Sequence, residues 1–245
     1  MPTTNKIEWD AQGQHFYETG VDHGVLYVYN PSNSKYNDGV AWNGLTSVSD
    51  SPEGAEVTPI YADNQKYLNL MSAEDFKGTI EAYTYPDEFN VCDGFKKIAP
   101  GMKIGQQTRQ KFGVCYRTLV GNDDTPEAGY KLHIVYNCLA SPSERNYETV
   151  NDSPEAMTLS WEFSTTPVNV TNNKPTATVT IESIDYNTEA LKQKLALLES
   201  CLFGTDTEAD ITAISAAVTG FDGKPTLPTP DQIFHILTGA APVAA

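Results

Sequence analysis

The densest group of side chains able to hold a metal or move a proton is His15, Glu18, Asp22 and His23. Their spacing fits no closed zinc site, and the segment runs straight into a strand-like stretch, where alternate residues point to opposite faces. Cys115 and His133 sit in two further strand-like runs that could be neighbours. A nucleophile–base pair would need both on one face and a third group to orient the imidazole, and no third group is evident. A buried thiol and a structural histidine are the simpler reading. Asp87 and Glu88 are adjacent, so on a strand or turn they diverge. Glycosidase carboxylates instead face each other across a gap, usually from different strands. The Gly-Lys of "GFDGKP" (220–225) lacks the spacing and the hydroxyl residue of a phosphate-binding loop and reads as a turn. The nucleophile-elbow, zinc-protease and calcium-loop motifs are also missing. No catalytic residue, metal ligand or cofactor site is expected.

Composition narrows the class. The net charge of −16 is spread along the 245 residues, and tight nucleic-acid binding needs clustered Lys and Arg instead. The apolar fraction of 40% and the 13 tyrosines fit sheets with one wet face or faces covered by other subunits. Cys92, Cys115, Cys138 and Cys201 show no C-x-x-C spacing, so free, mostly buried thiols are expected. The opening "MPTTNKIEWDAQGQH" has no apolar run of signal-peptide kind, and no stretch approaches transmembrane length. A soluble chain made in a cytoplasm is the expectation, which makes the sequons at Asn151 and Asn169 chance matches.

The elements that would position these residues are mostly strands. "GVLYVYN" (24–30) places Val25, Tyr27 and Tyr29 on one face and Leu26 and Val28 on the other. Strand-like runs follow at 39–49, 55–62, 66–71, 78–85, 112–120, 130–138, 157–165 and 176–184, separated by turn residues such as "DSPEG" and "GNDDTPEAG". The fold class predicted is mainly β, a sandwich or partly closed barrel, with a flanking helix and a short C-terminal helical extension. The helix spans 187–204, with Leu191, Leu195, Leu198 and Leu202 on one stripe and Gly204 as its stop. Weaker helical patterns occupy 207–218 and 231–237, around an extended "KPTLPTP". Two units are expected: 1–205 with the sheet and long helix, and 206–245 as a helical and Pro-rich extension.

The blocks "AWNGL", "PEGAE", "YTYPDEF" and "WEFSTTP", in that order, with a Leu-rich helix ending "CLFGTD", resemble the major tail proteins of long non-contractile-tailed phages of Gram-positive bacteria. The resemblance covers about residues 5–205. It implies a β-sandwich subunit without enzymatic activity. Such subunits assemble into rings, usually of six, which stack into a hollow tube in the virion tail after assembly in the host cytoplasm. The implied partners are further copies of the chain, a tape-measure protein, a tail terminator and distal tail or baseplate proteins. Double-stranded DNA crosses the lumen as passing cargo, and no membrane is involved. An acidic lining would repel phosphates and let the duplex slide.

On this reading the polar loop between strands supplies inter-subunit contacts through Asp50, Pro52, Glu53, Gly54, Glu56, Tyr61 and Asp63. In "GTIEAYTYPDEF" (78–89), Ile80 and Ala82 enter the core, and Glu81, Tyr83 and Tyr85 form an exposed strand face. Pro86 stops the strand, and "DEF" opens a turn or short helix with its carboxylates at the N-terminus. The competing reading is a carbohydrate-binding or host-adhesion module, with Trp9, Trp42 or Trp161 stacking on sugars.

Overall fold

The computed structural model describes residues 7, 9–147, 149 and 156–242; the sequon at Asn151 lies outside them. In chain order the strands are β1 (Tyr17–Asn30), β2 (Lys35–Tyr36), β3 (Val40–Ala41), β4 (Leu45–Asp50), β5 (Glu53–Gly54), β6 (Val57–Ala62), β7 (Gln65–Met71), β8 (Glu74–Asp75), β9 (Lys77–Ala82), β10 (Lys96–Ala99), β11 (Met102–Ile104), β12 (Phe112–Gly121), β13 (Gly129–Ala140), β14 (Leu159–Ser164) and β15 (Thr178–Glu182). The helices are α1 (Glu189–Phe203), α2 (Glu208–Ser215) and α3 (Pro230–Thr238). The protein is mainly β, with one large antiparallel sheet and flanking helices.

That sheet runs β2-β1-β12-β13-β14-β9-β4, with β15 on β13 and β3 on β1. It folds over itself at β13. The first part of β13 pairs with β15, from Lys131↔Glu182 to Val135↔Thr178. Its last residues pair instead with β14, at Leu139↔Ser164 and Ala140↔Phe163. Between the two lies Asn137 at φ 50, opposite a register shift in β12. An asparagine tolerates this left-handed turn, and the extra residue of a bulge bends the strand. The Tyr36 hydroxyl holds the bend: it accepts from the Asn137 N–H at 2.9 Å and donates to Oδ1 at 3.0 Å. At the other side of the fold β1 and β4 approach closely, and a Cβ on Gly24 would lie 2.3 Å from Leu45.

Alternation along the strands produces two cores. Leu26, Val28, Phe112, Val114 and Tyr116 face inward onto Ile80, Ala82, Trp161 and Phe163 of the opposing layer. Val25, Tyr27, Cys115, Leu132, Ile134 and Tyr136 face the other way, onto the helices. The α1 stripe supplies Leu195, Leu198 and Leu202, all buried, while Leu191 is only half-buried. Buried tyrosines fasten this layer by donating to its backbone, Tyr27 to the Leu202 carbonyl at 2.5 Å and Tyr136 to the Pro228 carbonyl at 2.9 Å. Residues 206–242 share this core through Ile214, Val218, Phe221, Leu227, Ile233 and Ile236. The start of α3 has a capping box, Thr229 with Gln232, and Pro230 at the first turn.

Leu198 is fully buried between α1 and the sheet. Leu198→Ala should lower unfolding free energy by about 2–5 kcal/mol, from lost transfer energy plus the cavity left behind. A denaturant titration of the isolated chain measures it.

Candidate functional site

The residues singled out for chemistry do not gather at one site, and those around the start of β1 form separate ion pairs. His15 lies 3.5 Å from Asp10 and 3.2 Å from Asp123. Glu18 faces Lys131 and His133. Asp22 takes a two-pronged hydrogen bond from Arg117, at 2.7 and 2.8 Å, which holds its carboxyl below the usual carboxylate range. His23, in the left-handed region at φ 49, sits 3.0 Å from Asp22. Among the described residues no three of these side chains converge on a common point. Cys115 and His133 are separated by strand alternation. Tyr116 pairs with His133 in register, so the imidazole stacks on Tyr116 at 4.8 Å, whereas Cys115 points into the helical core. Burial pushes the Cys115 thiol up to about 12, which removes thiolate at neutral pH. Asp87 and Glu88 open a short 3-10 helix, Asp87–Val91, and Asp87 meets Lys103 at 3.0 Å.

The "YTYPDEF" stretch departs from expectation in its strand end and in the burial of Glu81 and Tyr85. The strand ends at Ala82, four residues before Pro86, so Tyr83 and Tyr85 do not extend its face. Glu81 is half-buried and accepts from the Ser47 hydroxyl at 2.8 Å. Tyr83 is exposed, but Tyr85 packs edge-on against Trp161 (5.4 Å) and Phe89 (6.1 Å). The physical reason is the ring cluster beneath it: Trp42, Phe89, Phe112 and Trp161 leave an aromatic edge that Tyr85 closes. Trp42 and Trp161 are buried there, so neither can stack on a sugar, and Trp9 is the exposed tryptophan.

Beside that cluster lies the most buried ion group. Asp93, 5% exposed, pairs with Arg109 at 3.3 Å and with Arg145. Arg109 also donates to the Ala140 and Ser141 carbonyls at 3.2 and 3.4 Å, and Arg145 lies over Tyr85 and Phe95. These bonds staple the loop after the 3-10 helix to the end of β13. The carboxylate and both guanidinium groups are spent on one another.

The candidate inter-subunit residues behave differently. Asp50 closes β4 and accepts from the Tyr116 hydroxyl at 3.4 Å, and Pro52, Glu53, Gly54, Glu56, Tyr61 and Asp63 lie beyond it on an arm. The chain is exposed at every residue from Ser51 to Asp75. The strand-like runs 55–62 and 66–71 pair with each other as β6 and β7, and with β5 and β8 at the base they make a two-tier ribbon. Asp63 and Asn64 make the tip with φ 52 and 61, the left-handed pair of a type I′ hairpin turn. At the base Gly54 is obligatory, because its φ is 92 and a Cβ would stand 2.2 Å from the Ala73 carbonyl oxygen.

The arm carries apolar side chains on both faces. Val57 lies opposite Met71 on one face; Ile60 opposite Leu68, and Thr58 opposite Leu70, line the other. Tyr61, Tyr67 and Met71 are 68%, 71% and 70% exposed. The "ADNQ" tip between two alternating runs was the sequence signal for this hairpin.

No family model matches the chain, and no curated protein does. Among solved structures it is similar to a chain of the anti-feeding prophage baseplate, at 10% identity over 71% of this chain and 97% of that one, with a TM-score of 0.36. It is also similar to a chain of the PVC sheath–tube complex of an extracellular contractile injection system in the extended state, at 10% identity over 65% and 88%, TM-score 0.29. A third likeness is to that system's sheath/tube terminator, at 10% over 72% and 99%, TM-score 0.27. At these values the likenesses assign neither a family nor a role.

Two predictions follow from the buried polar groups. Asp93→Ala would take the carboxylate from both guanidinium groups, and should cost about 3 kcal/mol in a denaturant titration, the low end for breaking a buried pair. Burial holds the His133 imidazole below its ordinary range despite Glu18 and Asp50 nearby. The unfolded chain therefore takes up a proton at about pH 6.5, before the folded one does. Stability should fall as pH drops from there toward the folded value, and His133→Gln should flatten that slope in thermal melts.

Proposed function

We propose that this protein is a structural subunit of a phage-type tail tube, which self-associates into stacked rings through the β5–β8 arm and has no catalytic role. One observation carries the reading: a two-stranded ribbon with large apolar side chains on both faces and no cover from its own chain. Such a ribbon is marginally stable in water by itself. Exposed apolar surface on this scale is the mark of an interaction site. The order of blocks from "AWNGL" to "CLFGTD" supports tail-tube membership.

In this role the further partners are a tape-measure protein inside the tube, a terminator and distal tail proteins at its ends, and duplex DNA passing through the lumen. The net charge of −16 suits a duct that must not retain phosphates. The place of work is the virion tail, after assembly in a bacterial cytoplasm.

The arm can be removed cleanly. Asp50 pairs with Gly78 across β4 and β9, and the Ser51 N–H bonds the Lys77 carbonyl at 2.8 Å. Replacing residues 53–75 with an Asn-Gly turn keeps Phe76, which packs on the inner core and accepts from the Thr165 hydroxyl at 2.7 Å, and should leave a folded chain with near-parental thermal stability that no longer forms rings or tubes. Sedimentation velocity and negative-stain microscopy at rising concentration test this. Normal tubes from the shortened chain would refute the proposal.

A further inference from the structure

Although the chain as a whole is strongly acidic, residues 94–121 contain six Lys or Arg and no Asp or Glu. The first of them form a second exposed hairpin, β10–β11, turning at Pro100–Gly101. Lys97 stands directly opposite Lys103 in its ladder. Like charges in that position repel. Asp87 relieves part of the repulsion, at 4.0 Å from Lys97 and 3.0 Å from Lys103. Lys96 has no ion pair among the described residues. Ile98 and Met102 are 52% and 54% exposed beside these cations.

The arm shows the same pattern with the sign reversed. Glu53 stands directly opposite Asp75, and Glu74 is the next ladder position, opposite Gly54. From 51 to 76 the arm holds five carboxylates and one ammonium, Lys66. Among the described residues only Glu53 of these carboxylates has an ion pair, with Lys77.

Resting on the self-association proposed above, we infer that the β10–β11 hairpin is the docking surface for the acidic arm of a second copy of this chain. The match has two parts. Each ribbon has a like-charged cross-strand pair that the other would neutralise, and each has exposed apolar side chains next to its charges. A nucleic acid fits this hairpin less well. Two of its three lysines already share Asp87, and phosphates offer nothing to Ile98 and Met102. Contact between the base of one arm and the hairpin of the next copy is heterologous, and repeated it generates rings or filaments.

The test is a charge exchange in the full-length chain. One variant carries Lys96→Glu and Lys97→Glu; the other carries Glu56→Lys and Glu74→Lys, leaving the Glu53–Lys77 pair untouched. Each alone should need a protein concentration about tenfold higher to assemble, since unlike charges at the contact become like. An equimolar mixture should regain assembly, because each reversed surface meets its complement. Thermal melting shows that each is folded, and Lys96→Glu alone replaces the double variant if that one is not. Parental assembly by either variant, or no regain on mixing, overturns the inference. If the shortened chain lacking 53–75 fails to assemble while the charge variants assemble normally, the docking surface is wrong and the arm's role stands. A labelled duplex bound at low salt by the parent and released by Lys96→Glu would also overturn it, since the hairpin would then be a phosphate surface.

Discussion

Everything in this fold depends on a sheet that must be covered on both sides. Along β1, Val25 and Tyr27 point one way and Leu26 and Val28 the other, and all four are buried. No single packing partner can satisfy both faces. The Asn137 bend meets one demand by folding the sheet so that β14, β9 and β4 cover the inner face. The helices meet the other, and the hydroxyls of Tyr27 and Tyr136 spend their hydrogen bonds on helical-layer carbonyls, so that burying them leaves no unpaired donor. The chain after α1 is held to the sheet by the same apolar layer.

The same economy governs the polar groups of the interior. The inward acidic and basic side chains are matched to one another, although the buried Trp161 indole N–H has no partner. Asp93 is shared by two arginines, and Asp22 is gripped by Arg117. His133 is stacked and desolvated, and Cys115 is turned into the helical core. A catalytic group needs an open neighbour and a proton it can exchange near neutral pH. These groups are instead matched, buried or on opposite faces.

On the arm and the β10–β11 hairpin, apolar side chains and unmatched charges stay in water together. Within one chain this costs stability, since like charges face each other across each ladder. In the proposed assembly, a ribbon that is unfavourable alone and covered in the polymer would tie order in the arm to assembly.

The sequence by itself determined the element types and the inward residues. Period two in 24–30, 78–82 and 112–120, and the leucine stripe of α1 with its stop at Gly204, follow from local geometry, so they could be read without the fold. It also marked 50–63 as the stretch with unusual surface character. Long-range pairing was not legible. Cys115 and His133 fall in neighbouring strands, but a register of one residue decides that they face apart. Tyr85 alternates as if exposed, yet a ring cluster built from Phe89 nearby and three distant segments draws it in. The basic hairpin was hidden because net charge averages over the chain, while a docking surface depends on which few charges share one ribbon. The shared core of residues 206–242 was equally out of reach, since its apolar residues are scattered and only the uncovered face of β1, β12 and β13 gives them a place to pack. Periodicity is a property of neighbours along the chain; cover, register and charge pairing are properties of neighbours in space, and those the tertiary structure alone decided.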